Sequence, residues 1–346
     1  WLIVIIKIMK NIIPYGKQTI DQKDKKYVAK SLSNQLITTG PLVLKFEQEL
    51  KNYLGSKYTK VCSSGTSALH LAMLSVGVKK NDVVLIPAIN FIASYNIASL
   101  MEARIFLVDV DKETGQITPE TILNCIKKNK IKKIKVLLTM HHGGYPENII
   151  NIYKLKKKFK FFLIEDACHS LGASYLFNKK LIKVGSCSHA DISTFSLHPV
   201  KSITTGEGGI ISTNNKKLNE KIKLYRSHGI KKNKLFYWKY DVLVNGLNYR
   251  ISDINCALGI SQLKKIDKLI LRRKKCYKIY LDKFKNFNVN LKLPKYSIDI
   301  RPSYHLAILN INFKKLKKNK DHFLKYLNTK NIFPQFHYIP IYNFSV

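Results

Sequence analysis

From residue 60 onward, short unbroken apolar runs alternate with segments of helical spacing, and this alternation restricts the fold more than any other feature. Val61 precedes a helical stretch at 68–74, the run 83–86 precedes 92–100, and 105–108 precedes 119–126. The run 134–138, a helix near 149–157 and the run 161–164 complete the series. Parallel strands need crossover connections, and strands covered on both faces carry continuous rather than alternating apolar residues. The pattern therefore predicts an α/β fold around a large, mostly parallel sheet. Ahead of it, 21–33 and 43–54 read as helices, the first opened by Asp21, with Thr38-Thr39-Gly40-Pro41 turning between them. A long helical pattern at 252–284 then leads to strands near 307–311 and 333–338, which predict a smaller α+β domain. The expected division is a large domain over 9–250 and a connecting helix with a small domain over 251–346.

At 346 residues and 45% hydrophobic content, the chain has enough apolar material for such a pair of domains. Its net charge of +38 raises the question of nucleic acid or an anionic membrane. Lysine is spread through nearly every segment, together with Ile, Asn, Tyr and Phe, so the charge reads as a solvated surface set by composition. Neither nucleic acid nor membrane is an expected partner, although such a surface would steer an anionic substrate toward the protein. The six cysteines form no C-x-x-C pair and no metal-ligand cluster with the ten histidines. Reduced thiols in a cytoplasmic protein are the expectation, with no metal. The apolar segment from Trp1 to Ile8 is far short of a membrane span, and Met9 reads as the true start. The chain stops at Val346 within a Tyr-, Pro- and His-rich region, which reads as a truncation.

Asp166 closes the apolar run 161–164, and Lys201 follows in Ser196-Leu197-His198-Pro199-Val200-Lys201-Ser202-Ile203-Thr204-Thr205-Gly206-Glu207-Gly208-Gly209. A lysine amine can form an imine with the aldehyde of pyridoxal 5'-phosphate, and a carboxylate at the pyridine nitrogen keeps that ring protonated. Ser63-Ser64-Gly65-Thr66-Ser67 lies between a strand and a helix, where backbone N–H groups can cradle a phosphate. Taken alone, the same letters serve as an ordinary helix N-cap, and so does Asp166. Ser196 can add a hydroxyl to the phosphate, and the glycines at 206–209 let backbone pass close to a cofactor. An ordinary lysine, with a pKa of about 10.4, is a poor base at neutral pH, so the site has to lower it.

With these residues in this order, the chain resembles the DegT/StrS family of pyridoxal-phosphate-dependent sugar aminotransferases, of the aspartate-aminotransferase-like fold (fold type I). Further motifs carry the resemblance from about Ile13 to Tyr342: Pro14-Tyr15-Gly16, Asn90-Phe91-Ile92-Ala93-Ser94, Glu165-Asp166-Ala167-Cys168-His169, Arg226-Ser227-His228-Gly229 and Gly246-Leu247-Asn248-Tyr249-Arg250. It implies that Lys201 is the imine-forming lysine and Asp166 the partner of the ring nitrogen. Gly65, Thr66 and Ser196 would hold the phosphate, joined by Asn248 from the second subunit of a homodimer with shared sites. Phe91 would stack on the ring and His169 would sit beside it. Tyr15, Gln35, Leu36, Ile37, Thr38, His337 and Tyr338 would contact a nucleotide-sugar.

For Phe91 the alternative is a core aromatic, for His169 a structural histidine, and for the nucleotide-sugar contacts surface or packing residues. The activity implied is transfer of an amino group from L-glutamate to C4 of a UDP-linked 4-keto-6-deoxy-N-acetylhexosamine, in pseudaminic acid biosynthesis for surface glycans. A different nucleotide-linked keto sugar, or a catalytically silent protein of the same fold, are the competing readings.

Overall fold

A computed structural model describes residues 12–233, 235–236, 238–285 and 291–345. The expectations for Trp1 to Ile8, Met9 and Val346 lie outside the described residues.

Seven strands form the central sheet: β1 (Tyr58–Cys62), β2 (Val83–Pro87), β3 (Arg104–Val108), β4 (Val136–Met140), β5 (Phe162–Asp166), β6 (Ile192–Ser196) and β7 (Gly209–Thr213). Their spatial order is β1-β7-β6-β5-β4-β2-β3. Only β7 runs against its neighbours; the other pairs are parallel, so the sheet is mostly parallel. Alternate residues feed two separate cores, because successive side chains of a strand point to opposite faces. Leu85, Leu137 and Leu163 enter one core, while Val84, Ile86, Val136, Leu138 and Ile164 enter the other. Burial on both faces is the physical origin of the unbroken apolar runs.

Helices cover those faces: α1 (Gln22–Ser31), α2 (Pro41–Leu54), α3 (Gly65–Ser75), α4 (Ala93–Leu100), α5 (Pro119–Lys128), α6 (Ile149–Phe159), α7 (Lys216–Arg226), α8 (Asp253–Leu263), α9 (Ile266–Phe284) and α10 (Lys320–Thr329). Asp21 caps α1 through a reciprocal box with Asp24. Pro41 opens α2, and Gly55 ends it in the left-handed region at φ 73°.

Two expectations need correction. The helical pattern at 252–284 is two helices, interrupted at Lys264 and Lys265, where the Lys265 amine lies 2.7 Å from Asp21 and 2.5 Å from the buried Asp24. Lys265 is the cation that meets one oxygen of that buried carboxylate, which holds the chain at this break. The strands near 307–311 and 333–338 shrink to Asn310–Ile311, antiparallel to Leu291–Lys292, and Ile332–Phe333, parallel to Ile13–Pro14. Pro334 follows Phe333 and brings no N–H to extend the ladder. This last pair joins the two ends of the chain and brings Tyr15 close to His337, with ring centroids 5.4 Å apart. Beyond it, the Ile341 N–H donates to the Ala88 carbonyl at 2.9 Å and its side chain enters one of the two cores.

Candidate active site

β5 and β6 are adjacent and parallel, with Asp166 opposite Thr194, so their carboxyl ends emerge on the same side of the sheet. Ligands of open α/β sheets gather at that end. Asp166 is buried, and the Cys168 N–H donates to its Oδ1 at 3.1 Å. No helix starts there, which removes the N-cap reading. Burial raises the pKa of its carboxyl, while the Cys168 hydrogen bonds and the charge of Lys201 act the other way. No ion pair among the described residues includes Asp166. A buried carboxylate without an ionic partner fits a protonated ring nitrogen, which would supply the missing charge.

At the other end of the site, Ser64 caps α3 by accepting the Ser67 N–H at 3.0 Å. The capping reading of this segment therefore holds, and it coexists with an anion cradle. Gly65 and Thr66 occupy the first turn, whose N–H groups have no intrahelical acceptor. Gly65 presses on two other segments: a Cβ there would lie 2.8 Å from Ser196 Cβ and 3.3 Å from Cys168 Sγ. Only glycine permits this approach, which joins the start of α3 to the ends of β5 and β6. The set fits a phosphate, which the α3 turn and Ser196 would hold.

Lys201 follows β6 in a tight turn, its N–H donating to the His198 carbonyl at 2.9 Å. Burial lowers its pKa and the charge of Arg273 acts with it, against the opposing pull of Cys168 and Asp166. The requirement set by the sequence, an amine easier to deprotonate than an ordinary lysine, is met mainly by desolvation.

Beside the lysine lies a cluster of imidazoles. His169 is buried, with its ring centroid 4.2 Å from that of His305 and 6.4 Å from that of His142. Burial pushes His169 and His305 well below the ordinary histidine pKa, and Lys201 reinforces the effect. His169 Nδ1 accepts the Gly143 N–H at 3.3 Å, so in the neutral ring the proton sits on Nε2. That Nε2–H then donates to the Tyr338 hydroxyl at 3.0 Å, which leaves the Tyr338 proton free for an acceptor in the site. Tyr338 also meets Phe91, ring centroids 5.9 Å apart. Phe91 is 53% exposed, which rules out the core-aromatic alternative.

The neutral histidines make stability sensitive to acid. Burial lowers the His142 pKa from 6.5 to about 4. Between those values the unfolded chain binds the proton and the folded chain does not, so stability rises with pH there and is lost as pH falls from 6.5 toward 4. For His142 alone the loss reaches about 3 kcal/mol. Urea midpoints at pH 7 and pH 5 should show the drop, and His142→Asn should reduce it.

Other expected residues are not brought into this cluster. Gln35, Leu36, Ile37 and Thr38 form an exposed turn anchored on α8, where the Asp253 N–H donates to the Ile37 carbonyl at 2.9 Å. Asn248 is exposed and bridges to Ser227. No hydrogen bond or ring contact among the described residues joins any of these five to Lys201, His169 or Tyr338. Conversely, His142, His305 and Arg273 belong to the site and were not singled out from sequence. Cys168 lies within the Glu165–His169 motif, whereas Tyr304-His305 and Arg272-Arg273 carry no local signal.

Residues 18–346 match the DegT/DnrJ/EryC1/StrS aminotransferase family. A UDP-4-amino-4,6-dideoxy-N-acetyl-beta-L-altrosamine transaminase of Campylobacter jejuni subsp. jejuni serotype O:23/36 is 38% identical over 336 residues, covering 96% of this chain and 85% of its own. Among solved structures, Helicobacter pylori PseC, an aminotransferase involved in the biosynthesis of pseudoaminic acid, superposes with a TM-score of 0.85 at 31% identity, covering 97% of this chain and 87% of its own. The PLP form of Spr1654 from Streptococcus pneumoniae shares the fold, with a TM-score of 0.85 at 23% identity over 96% of this chain and 86% of its own.

Proposed function

Because the chain belongs to the DegT/DnrJ/EryC1/StrS aminotransferase family, we propose that it uses pyridoxal 5'-phosphate to move an amino group from L-glutamate to C4 of a UDP-linked 4-keto-6-deoxy-N-acetylhexosamine, in pseudaminic acid biosynthesis. The observation that carries this reading is the placement of Asp166 at the end of one strand and Lys201 after its parallel neighbour, with the first turn of α3 pressed against Ser196. The Campylobacter and Helicobacter relatives support the choice of sugar.

When bound, the cofactor supplies an aldehyde and an electron-withdrawing ring that stabilises negative charge on a substrate carbon. Asp166 holds the proton at the ring nitrogen, and Gly65, Thr66 and Ser196 hold the phosphate. Lys201 would hold the cofactor through its amine and, once that amine is free, would take the proton from the donor α-carbon. The same lysine runs the steps in reverse on the keto sugar. Phe91 covers the ring, and Tyr338 offers its hydroxyl proton to a substrate oxygen. Tyr15 and His337 form the wall that the sugar meets.

The same proposal makes the enzyme a homodimer. Leu235, Trp238, Tyr240 and Val242 expose apolar surface around the paired strands Ile230–Lys232 and Tyr240–Val242, close in sequence to Asn248. Such a patch favours a protein partner, and a second copy of the chain would carry Asn248 to the phosphate. A large cofactor-binding domain over 9–250 and a smaller one over 251–346 complete the assignment. A cytoplasmic setting is supported by six free cysteines. No helix among the described residues is long and apolar enough to cross a membrane.

The test is to incubate the protein with glutamate and single UDP- or dTDP-linked 4-keto sugars, and to follow 2-oxoglutarate. Turnover of the UDP-linked N-acetylhexosamine is expected. Turnover of a dTDP-sugar alone would remove the pseudaminic acid assignment and leave the aminotransferase, whereas no turnover with any keto sugar would favour the silent reading.

A further inference from the structure

The turn that carries Lys201 is held by a residue from a distant helix. Arg273, in α9, reaches it with a half-buried guanidinium. Its Nη2 donates to the Lys201 carbonyl at 2.9 Å and to the Val200 carbonyl at 3.3 Å. Its Nη1 donates to the His305 carbonyl at 3.1 Å and lies 3.4 Å from His305 Nδ1. No other donor among the described residues reaches the carbonyl of Val200 or of Lys201. Behind the turn lies a cavity of about 150 Å³, lined by Lys17, Thr19, Pro199, Lys201, Leu269 and Arg273 among others. None of Asp166, Cys168, Gly65, Thr66 or Ser196 borders it. Side-chain packing beside the turn is therefore incomplete.

We propose that Arg273 is the positioning residue for Lys201: it clasps the Val200 and Lys201 carbonyls and fixes the direction in which the lysine side chain leaves the turn. Only a planar fork of donors can serve two adjacent carbonyls and His305 at once. A lysine at this place would bring positive charge without that geometry. The His305 link matters because the His305 ring lies tilted against that of His169, so one guanidinium sets both the lysine and the imidazole beside it. A second effect follows from charge. The groups that face Lys201 are Cys168 and Asp166, which favour its protonated form, and the neutral rings of His169, His305 and His337. Arg273 is the cation that opposes protonation.

The inference rests on Lys201 being the proton-moving lysine, so its test includes a readout that needs neither cofactor nor turnover. Cofactor-free wild type, R273M and R273K are acetylated with limiting acetic anhydride across a pH series, and modification of Lys201 is measured by peptide mass spectrometry. In R273M the midpoint for Lys201 should move up, because the opposing charge is gone. In R273K it should stay near the wild-type value, while kcat of the glutamate half-reaction in the loaded enzyme falls about tenfold or more with KM little changed.

A wild-type midpoint together with wild-type kcat in R273M overturns the proposal. Where R273M fails to fold, R273K decides: reduced kcat supports the clasp, and unchanged kcat overturns it. Lys201→Ala is the separate control, since half-reaction turnover surviving in that variant sinks the lysine assignment whatever Arg273 does.

Discussion

Lys201→Ala should lower kcat for amino transfer by about 10⁴-fold or more, because one side chain is both the covalent partner of the cofactor and the base that moves the proton. Borohydride treatment of the loaded wild type should fix cofactor mass on the peptide containing Lys201, and the variant should show no adduct. Loss of folding is not the expected cause. The folded-state pKa of Lys201 is depressed by burial, so at neutral pH the folded chain binds this proton less readily than the unfolded chain does. Removing the amine relieves that cost, and the cofactor-free variant should melt at or above the wild-type temperature. A melting temperature many degrees lower, with adduct formation retained at another lysine, would show that Lys201 has been misassigned.

Asp166→Asn should lower kcat by about 10²- to 10³-fold, since it removes the charge that keeps the ring nitrogen protonated while preserving shape. Asparagine retains an oxygen to accept the Cys168 N–H, so the turn after β5 is kept. Here too the sign of the stability effect separates chemistry from folding. Burial raises the Asp166 pKa above its unfolded value, so the ionised carboxylate costs stability at neutral pH in the cofactor-free protein. The variant should match or exceed wild type in thermal unfolding without cofactor and gain less than wild type when cofactor is added. Equal stabilisation by cofactor in both proteins would argue that Asp166 does not meet the ring nitrogen.

The parts of the fold and site that were legible in sequence are those whose physics is local. Four apolar runs gave β2 to β5 and their helices, because strands buried on both faces leave an unbroken signature. β6 and β7 were hidden: Ser193 and Thr194 in the first, and Gly209, Ser212 and Thr213 in the second, break the apolar run although both strands are buried. The interruption between α8 and α9 depends on Lys265 meeting Asp21 and Asp24, a contact across more than two hundred residues. In the site, Asp166, Lys201 and Gly65 announce themselves through neighbouring letters, and the family resemblance supplies roles for the rest. His305 and Arg273 act through tertiary contacts, to His169 and to the backbone of the lysine turn, and their own neighbours in sequence carry no sign of this. The cause of the lowered Lys201 pKa belongs to the same category, being burial in a packed interior.

The pairing of Ile13–Pro14 with Ile332–Phe333 sets an order of events during synthesis. The strand ends, the α3 turn and Lys201 that would receive the cofactor have all left the ribosome once Gly209 has emerged. The wall that would meet the sugar needs Tyr15 and His337, which lie at opposite ends of the chain and come together only through that pairing. Chains emerge from the N-terminus, and a contact spanning most of the sequence closes last. A nascent chain therefore contains every residue of the cofactor cradle well before it contains the surface that would select a sugar.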